Sequence, residues 1–365
     1  MKSFLDKIKT YLAPPGNGVF TVHTAKENKS KLHEKLYGTS DILAVKEKWE
    51  NSLNDLKDTK SPILLGLCSD TGGGIQRGAN WGPLFIRDEL LSIVDCENYF
   101  DVGDIKVIPH LLHDKYLQQD LIKKCQDSIY SGDDLPVSAL SIAEDFVESL
   151  FKFKNDSKLL TLGGDHSISY PVVKEWINFK RSQNIKVAII HFDAHTDLMH
   201  DRLGVDICFA SWAYHMIELL EKPSHLLQYG IRSSGKPKSH WENELGVQQF
   251  WNYDFKDNGL ENVIESTLKY LIEEKIEEVY ISFDIDGLDA KYASSTGTPE
   301  KDGLEPHQCI LLIEEIAKHV KVTGADMVEV APFVQSTLKD KMVIEPDTTL
   351  KSAGLIVNKI LEVMK

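Results

Sequence analysis

The chain has 365 residues, 42% of them hydrophobic, which is enough to bury one large α/β core or two ordinary ones. Its formal net charge of −15 lacks the basic field that phosphate backbones require, so nucleic acid is excluded as a partner and a small cationic substrate is favoured. Five scattered cysteines (Cys68, Cys96, Cys125, Cys208 and Cys309) with no CxxC pair point to reduced thiols and a cytoplasmic location, and no apolar run suits export or a membrane partner.

Residues 1–60 read as an N-terminal extension, partly helical. A turn-rich Pro14-Pro15-Gly16-Asn17-Gly18 opens it, and Ile42, Val45, Trp49, Leu53 and Leu56 then recur at three- and four-residue steps, which is one helix face. The simplest expectation is a helix packed on the main domain rather than a regulatory or oligomerisation arm. From residue 61 to 365 the texture changes to short apolar runs, each followed by a loop and a helical pattern. That is the signature of βα units around a mostly parallel sheet. Eight strands are expected, at 63–67, 105–108, 159–162, 187–193, 226–231, 247–251, 279–284 and 323–330. Helical faces lie between them, among them Leu140, Ala143, Val147 and Leu150, then Val263, Thr267, Leu271 and Glu274, and finally Ala353, Ile356, Ile360 and Val363. No repeat or linker interrupts this stretch, so it reads as one catalytic domain.

The chemistry concentrates where such strands end. Lys186-Val187-Ala188-Ile189-Ile190 is a β-branched apolar run, and it feeds His191-Phe192-Asp193-Ala194-His195-Thr196-Asp197. Asp193, His195 and Asp197 leave the backbone on one side. On a straight strand the first and third would stand about 13 Å apart, too far to share an ion, so the chain must bend there. Two further clusters end apolar runs in the same way: Asp284 and Asp286 in Ser282-Phe283-Asp284-Ile285-Asp286, and His166 in Gly163-Gly164-Asp165-His166-Ser167. In open α/β sheets ligands bind beyond the carboxyl ends of the strands, so the three clusters are expected to meet. Together they supply two imidazoles and four carboxylates, and four formal negatives match two divalent cations. Two such ions about 3.5–4 Å apart can hold a bridging water and lower its pKa toward neutrality, which is hydrolase equipment. The excess of oxygen donors favours Mn2+, with Ni2+, Co2+ or Fe2+ as alternatives, over a thiolate-bound structural zinc.

These three motifs resemble the metal-binding signatures of the ureohydrolases, the arginase and agmatinase superfamily. Arg77-Gly78-Ala79-Asn80-Trp81-Gly82-Pro83 with Ile86-Arg87 is similar to the family's early glycine-proline segment. Thr296-Gly297-Thr298-Pro299 with Gly303-Leu304 resembles its glycine-rich loop, and Asp326-Met327-Val328-Glu329-Val330-Ala331-Pro332 its C-terminal acidic motif. The similarity runs through residues 60–360 in the family's order. It implies a three-layer α/β/α sandwich on a mostly parallel sheet, an arginase-like fold. It also implies two metal ions held by His166, Asp193, His195, Asp197, Asp284 and Asp286, assembly as a trimer or hexamer, and hydrolysis of a guanidino or amidino C–N bond. By the same carry-over Asp197 relays a proton to the leaving amine and Glu329 orients the substrate's guanidinium.

One departure stands out. Many members carry a His-Gly pair after the second signature, where the histidine shuttles protons; here the region reads Arg202-Leu203-Gly204-Val205-Asp206-Ile207-Cys208-Phe209-Ala210-Ser211-Trp212. His200 and His215 flank it, and either could serve as the shuttle, with His215 carried forward as the candidate. Cys208 falls near the missing histidine, where a buried thiol is the commoner fate. Trp212 reads either as narrowing the substrate pocket or as core, and with Phe209 it could form the small closed pocket that guanidine would need. Agmatine-like compounds or guanidino acids lead as substrates, ahead of arginine, formiminoglutamate and guanidine. A substrate carboxylate would need a cation, for which Arg232, Lys236 and Lys238 are available. Two other readings remain, a non-catalytic metal-binding regulatory homologue and a deacylase on the related single-zinc fold.

Overall fold

The computed structural model describes residues 3–19, 21–94, 98–332 and 346–365, without the side chains of 346 and 347. Nine strands form one sheet: β1 (Leu12–Ala13), β2 (Ile63–Leu67), β3 (Phe100–Ile105), β4 (Leu159–Gly163), β5 (Val187–Phe192), β6 (Leu226–Tyr229), β7 (Gln248–Phe250), β8 (Glu278–Asp284) and β9 (Lys321–Val328). Their order across the sheet is β1-β3-β2-β4-β9-β8-β5-β6-β7, and every pairing is parallel except β1 with β3.

A parallel sheet covered on both faces needs strands that are apolar on both sides, and the alternation is visible residue by residue. Ile63, Leu65, Leu67, Val187 and Ile189 enter one core with the helices Ala139–Phe153 and Ser169–Ser182. Leu64, Leu160, Ala188, Ile190 and Phe192 enter the other, against the helices Gly82–Ile93, Leu260–Glu273, Pro306–Ala317 and Pro346–Val363. The result is the three-layer α/β/α sandwich that the sequence implied.

Two expectations shift. The strand expected at 105–108 lies at Phe100–Ile105, because two aspartates that break the apolar pattern are paired inside. The wholly buried Arg87 donates from Nε to Asp101 (2.7 Å) and from Nη1 to Asp104 (2.6 Å). The sheet also gains a ninth strand from the extension, with Leu12 opposite Ile105 and Ala13 opposite Asp104. The turn-rich segment after it is fastened by Asp104, whose second oxygen accepts the backbone N–H of Gly16 (2.8 Å) and Gly18 (3.1 Å). The helix Ile42–Ser52 packs on the domain as anticipated. Val45, Trp49, Leu53 and Leu56 are buried, and Trp49 donates to the Val102 carbonyl at 3.1 Å. Ile42 is 81% exposed, since it begins the helix just after the Asp41 cap and has no neighbour there.

Chain order reverses within this sheet. The strands before the midpoint run outward from β4, whereas β5, β6 and β7 run the other way, with β9 and β8 between. Such a switch point leaves a crevice at the carboxyl ends of the central strands.

Candidate metal centre and substrate cavity

Four adjacent strands, β4, β9, β8 and β5, deliver the predicted residues to that crevice. His166 opens the turn after β4, Asp193, His195 and Asp197 follow β5, Asp284 ends β8 with Asp286 two residues on, and Glu329 follows β9. The chain does bend beyond β5: Asp197 has φ 51° and Glu329 has φ 63°, both in the left-handed region that non-glycine residues seldom occupy.

The side chains form two nests that share one aspartate. Around His166 Nδ1 stand Asp197 Oδ2 at 3.1 Å and Asp193 Oδ2 and Asp284 Oδ2 at 3.2 Å. Around His195 Nδ1 stand Asp286 Oδ2 at 3.2 Å and Asp193 Oδ1 at 3.3 Å. Asp193 thus offers one oxygen to each nest. His166 Nδ1 is buried with no hydrogen-bond partner, whereas its Nε2 lies 2.9 Å from Ser282 Oγ. Ser282 spends its own proton on Asp326 (2.8 Å), so it accepts from Nε2–H and leaves Nδ1 bare toward the carboxylates. A bare imidazole nitrogen facing three carboxylates inside a protein is satisfied by a cation, and the donor set fits a divalent ion in each nest. The electrostatics agree. Burial alone would lower the His195 imidazole, yet Asp286 and Asp193 outweigh it and push it up to about 12. Burial, then Asp286 and Asp193, push the Asp284 carboxyl well above its usual range.

Hydrogen bonds hold these candidate donors in place. Asp193 Oδ1 accepts the His195 backbone N–H (2.6 Å), Asp284 Oδ1 that of Asp286 (2.8 Å), and Asp286 takes Ala194 N–H (3.1 Å) and Thr298 Oγ1 (2.8 Å). Glu329 is half-buried and accepts the His166 backbone N–H at 2.9 Å. Desolvation and then repulsion from Asp165 raise its carboxyl. A cavity of about 450 Å³ opens over the nests, lined by His166, His195, Asp197, Asp284 and Glu329 at its floor and by Met199, Phe209, Trp241, Arg202 and Lys236 higher up.

Two expected residues stand elsewhere. Trp212 is wholly buried rather than lining the cavity: its ring packs 4.8 Å from that of His166, and its Nε1 donates to Asp197 Oδ2 at 2.9 Å. Of the two readings open for this indole, the structure places it in the core, as a prop behind Asp197. His215 is not among the cavity's lining residues either; its Nε2 lies 2.9 Å from the Asp206 carbonyl and its ring meets Tyr170 edge-on. His200 is exposed beside Asp201, and Cys208 is buried against Ser211. Of the three candidate cations, Arg232 spends its guanidinium on backbone carbonyls, including Asp286 (2.7 Å) and Leu288 (2.9 Å), and Lys238 pairs with Asp254 (2.8 Å). Lys236 alone reaches the cavity, joined by Arg202, which sequence reasoning did not single out. It also passed over Ser282 and Asp326, although both lie inside quoted motifs.

A family model described as Arginase family matches residues 60–352. The chain is 28% identical over 312 residues to an agmatinase of Bacillus subtilis (strain 168), covering 82% of this chain and 90% of that protein. It is 29% identical over 281 residues to a mitochondrial guanidino acid hydrolase of Homo sapiens, covering 74% and 71%. The fold is similar to that of the formimidoylglutamase of Bacillus subtilis, with a TM-score of 0.64, 22% identity, and coverage of 84% of this chain and 87% of that one.

Proposed function

This chain belongs to the arginase family, and from that premise we propose that it is a two-manganese hydrolase of linear guanidino compounds, releasing urea or its equivalent. The observation that supports this most is the pair of nests sharing Asp193, with Glu329 on the same cavity floor. His166, Asp193, Asp197 and Asp284 would hold one ion and His195, Asp193 and Asp286 the other, with Ni2+, Co2+ or Fe2+ as substitutes. When bound, the ions supply Lewis acidity toward water and toward the charge that develops at the attacked carbon.

The chain's own side chains do the rest. Glu329 matches the forked N–H donors of a planar guanidinium and holds its carbon over the nests, which makes the attack effectively unimolecular. Asp197 relays a proton to the leaving amine. Burial and Asp193 raise its carboxyl, the direction a proton carrier requires, and Trp212 fixes one of its oxygens. His215 does not line the cavity and its Nε2 is engaged at the Asp206 carbonyl, so no geometry here supports it as the shuttle. Family resemblance alone supports a trimer or hexamer, and the scattered cysteines without a CxxC pair alone support a cytoplasmic location.

Agmatine and guanidino acids are the leading substrates. Arg202 and Lys236 line the outer cavity, and neither pairs with a carboxylate among the described residues. Two free cations at the far end suit a substrate that ends in a carboxylate, so this geometry favours a guanidino acid over agmatine, whose far end is an ammonium. The test is urea release by the Mn2+-loaded protein from agmatine, 4-guanidinobutyrate, arginine and guanidine. The guanidino acid is expected to be turned over best, and Lys236→Glu should move the preference toward agmatine. Silence toward every compound with metal bound would instead support the non-catalytic homologue.

A further inference from the structure

A file of buried polar side chains runs from the edge of the sheet to the shared aspartate. Trp251 Nε1 donates to Gln249 Oε1 (2.8 Å), Gln249 Nε2 to Gln228 Oε1 (2.7 Å), and Gln228 Nε2 both to the Thr196 carbonyl (2.7 Å) and toward His191 Nδ1 (2.9 Å). His191 Nε2 then lies 2.9 Å from Asp193 Oδ2. Strand register puts His191 opposite Gln228 and Gln228 opposite Gln249. His191 and Gln228 are wholly buried and Gln249 is 2% exposed. Two carboxamides and an imidazole cannot be buried with their polar atoms unpaired without a large desolvation penalty, so this file persists only with its bonds made.

Its polarity is fixed from both ends. An indole N–H can only donate, so Gln249 must turn its oxygen to Trp251 and its nitrogen to Gln228. A backbone carbonyl can only accept, so Gln228 must present its nitrogen to Thr196, and that nitrogen is the one facing His191. His191 Nδ1 is therefore the acceptor, and the ring's proton sits on Nε2, aimed at Asp193. A nitrogen that carries a proton cannot ligate an ion, although His191 lies within the same group of donors as His166, Asp193 and Asp197.

We propose that His191 is a positioning residue for the shared carboxylate: the Trp251-Gln249-Gln228 file locks its tautomer, and its Nε2–H pins Asp193 Oδ2 while the His195 backbone N–H pins Oδ1. A carboxylate that serves two ions must keep each oxygen aimed at its own nest, and such hydrogen-bonded partners set both ligand orientation and metal affinity. This inference rests on the two-ion reading above.

The experiment is a Mn2+ titration of the purified full chain, following unbound Mn2+ and the spin-coupled pair by electron paramagnetic resonance, with Tm recorded alongside. His191→Phe and Gln228→Met are expected to weaken Mn2+ binding about 10- to 100-fold and to alter the coupled signal, with two ions still bound at saturation. His191→Gln, which keeps an N–H donor, should restore most of the affinity. Trp251→Phe, at the half-buried end of the file, should fold normally and weaken binding by a smaller factor. Lower Tm in the first two variants with unchanged Mn2+ affinity would reduce the file to packing and overturn the proposal. Loss of one ion at saturation in His191→Gln would overturn it by making His191 a ligand. Wild-type protein that binds no Mn2+ would sink the two-ion reading itself, whereas unaffected variants of a two-ion protein sink only this inference.

Discussion

Glu329 and Asp197 adopt left-handed backbone without being glycine, at a cost of order 1–3 kcal/mol each. Neighbours over-determine both: the Glu329 N–H reaches the Gly164 carbonyl at 2.8 Å, and the Asp197 carbonyl accepts from Tyr214 N–H at 3.3 Å. The strain turns Glu329 out of β9 to face the cavity. Replacing it by Gln keeps the shape but removes the charge, so kcat/KM should fall about 10- to 100-fold, as expected for a charge-assisted pair, with bound Mn2+ unchanged. Steady-state urea release together with elemental analysis checks this, and loss of metal in Glu329→Gln would mean that the residue serves the ions instead. At this scale the six clustered donors were legible because carboxylates and imidazoles recur at alternate positions where apolar runs end. Trp212 was not, since nothing in its neighbours says whether an indole faces a cavity or props a ligand from behind.

Strands and helices were legible wherever burial is two-sided and apolar. They were missed where a charge is buried with its partner: Asp101 and Asp104 disguise β3, and only Arg87, on the preceding helix, makes them tolerable inside. A similar long-range pairing joins the helices Ala139–Phe153 and Ser169–Ser182, where Glu144 is held by His113 and Lys174. The His113 hydrogen bond works against burial, and with Lys174 it lowers the Glu144 carboxyl to about 2. A carboxyl that titrates lower when folded stabilises the native state above its ordinary value of 4.5, and that contribution is lost as pH falls toward about 2. Urea midpoints measured from neutral pH down through that window should fall less steeply in Glu144→Gln than in wild type. Parallel acid limbs would show that the pair contributes nothing measurable.

For the molecule as a whole, the nests exist only when four strands lie side by side, so ions that bind them bind the folded state alone. Each site should add about 4 kcal/mol at a thousandfold excess over its Kd. Tm is therefore expected to rise with Mn2+ and to drop after chelation with EDTA, by differential scanning calorimetry. A Tm indifferent to both would mean that no ions are held. The amino-acid sequence by itself determined the layered α/β class, the strands that end in acid and imidazole, and which side chains could serve as metal donors, because periodicity and donor chemistry are local properties. Only the tertiary structure decided the sheet order that makes β4, β9, β8 and β5 neighbours, the sharing of Asp193, the place of Trp212 and the file behind His191. Each of those depends on which residues distant in the chain come within hydrogen-bonding reach, and no local pattern encodes that distance.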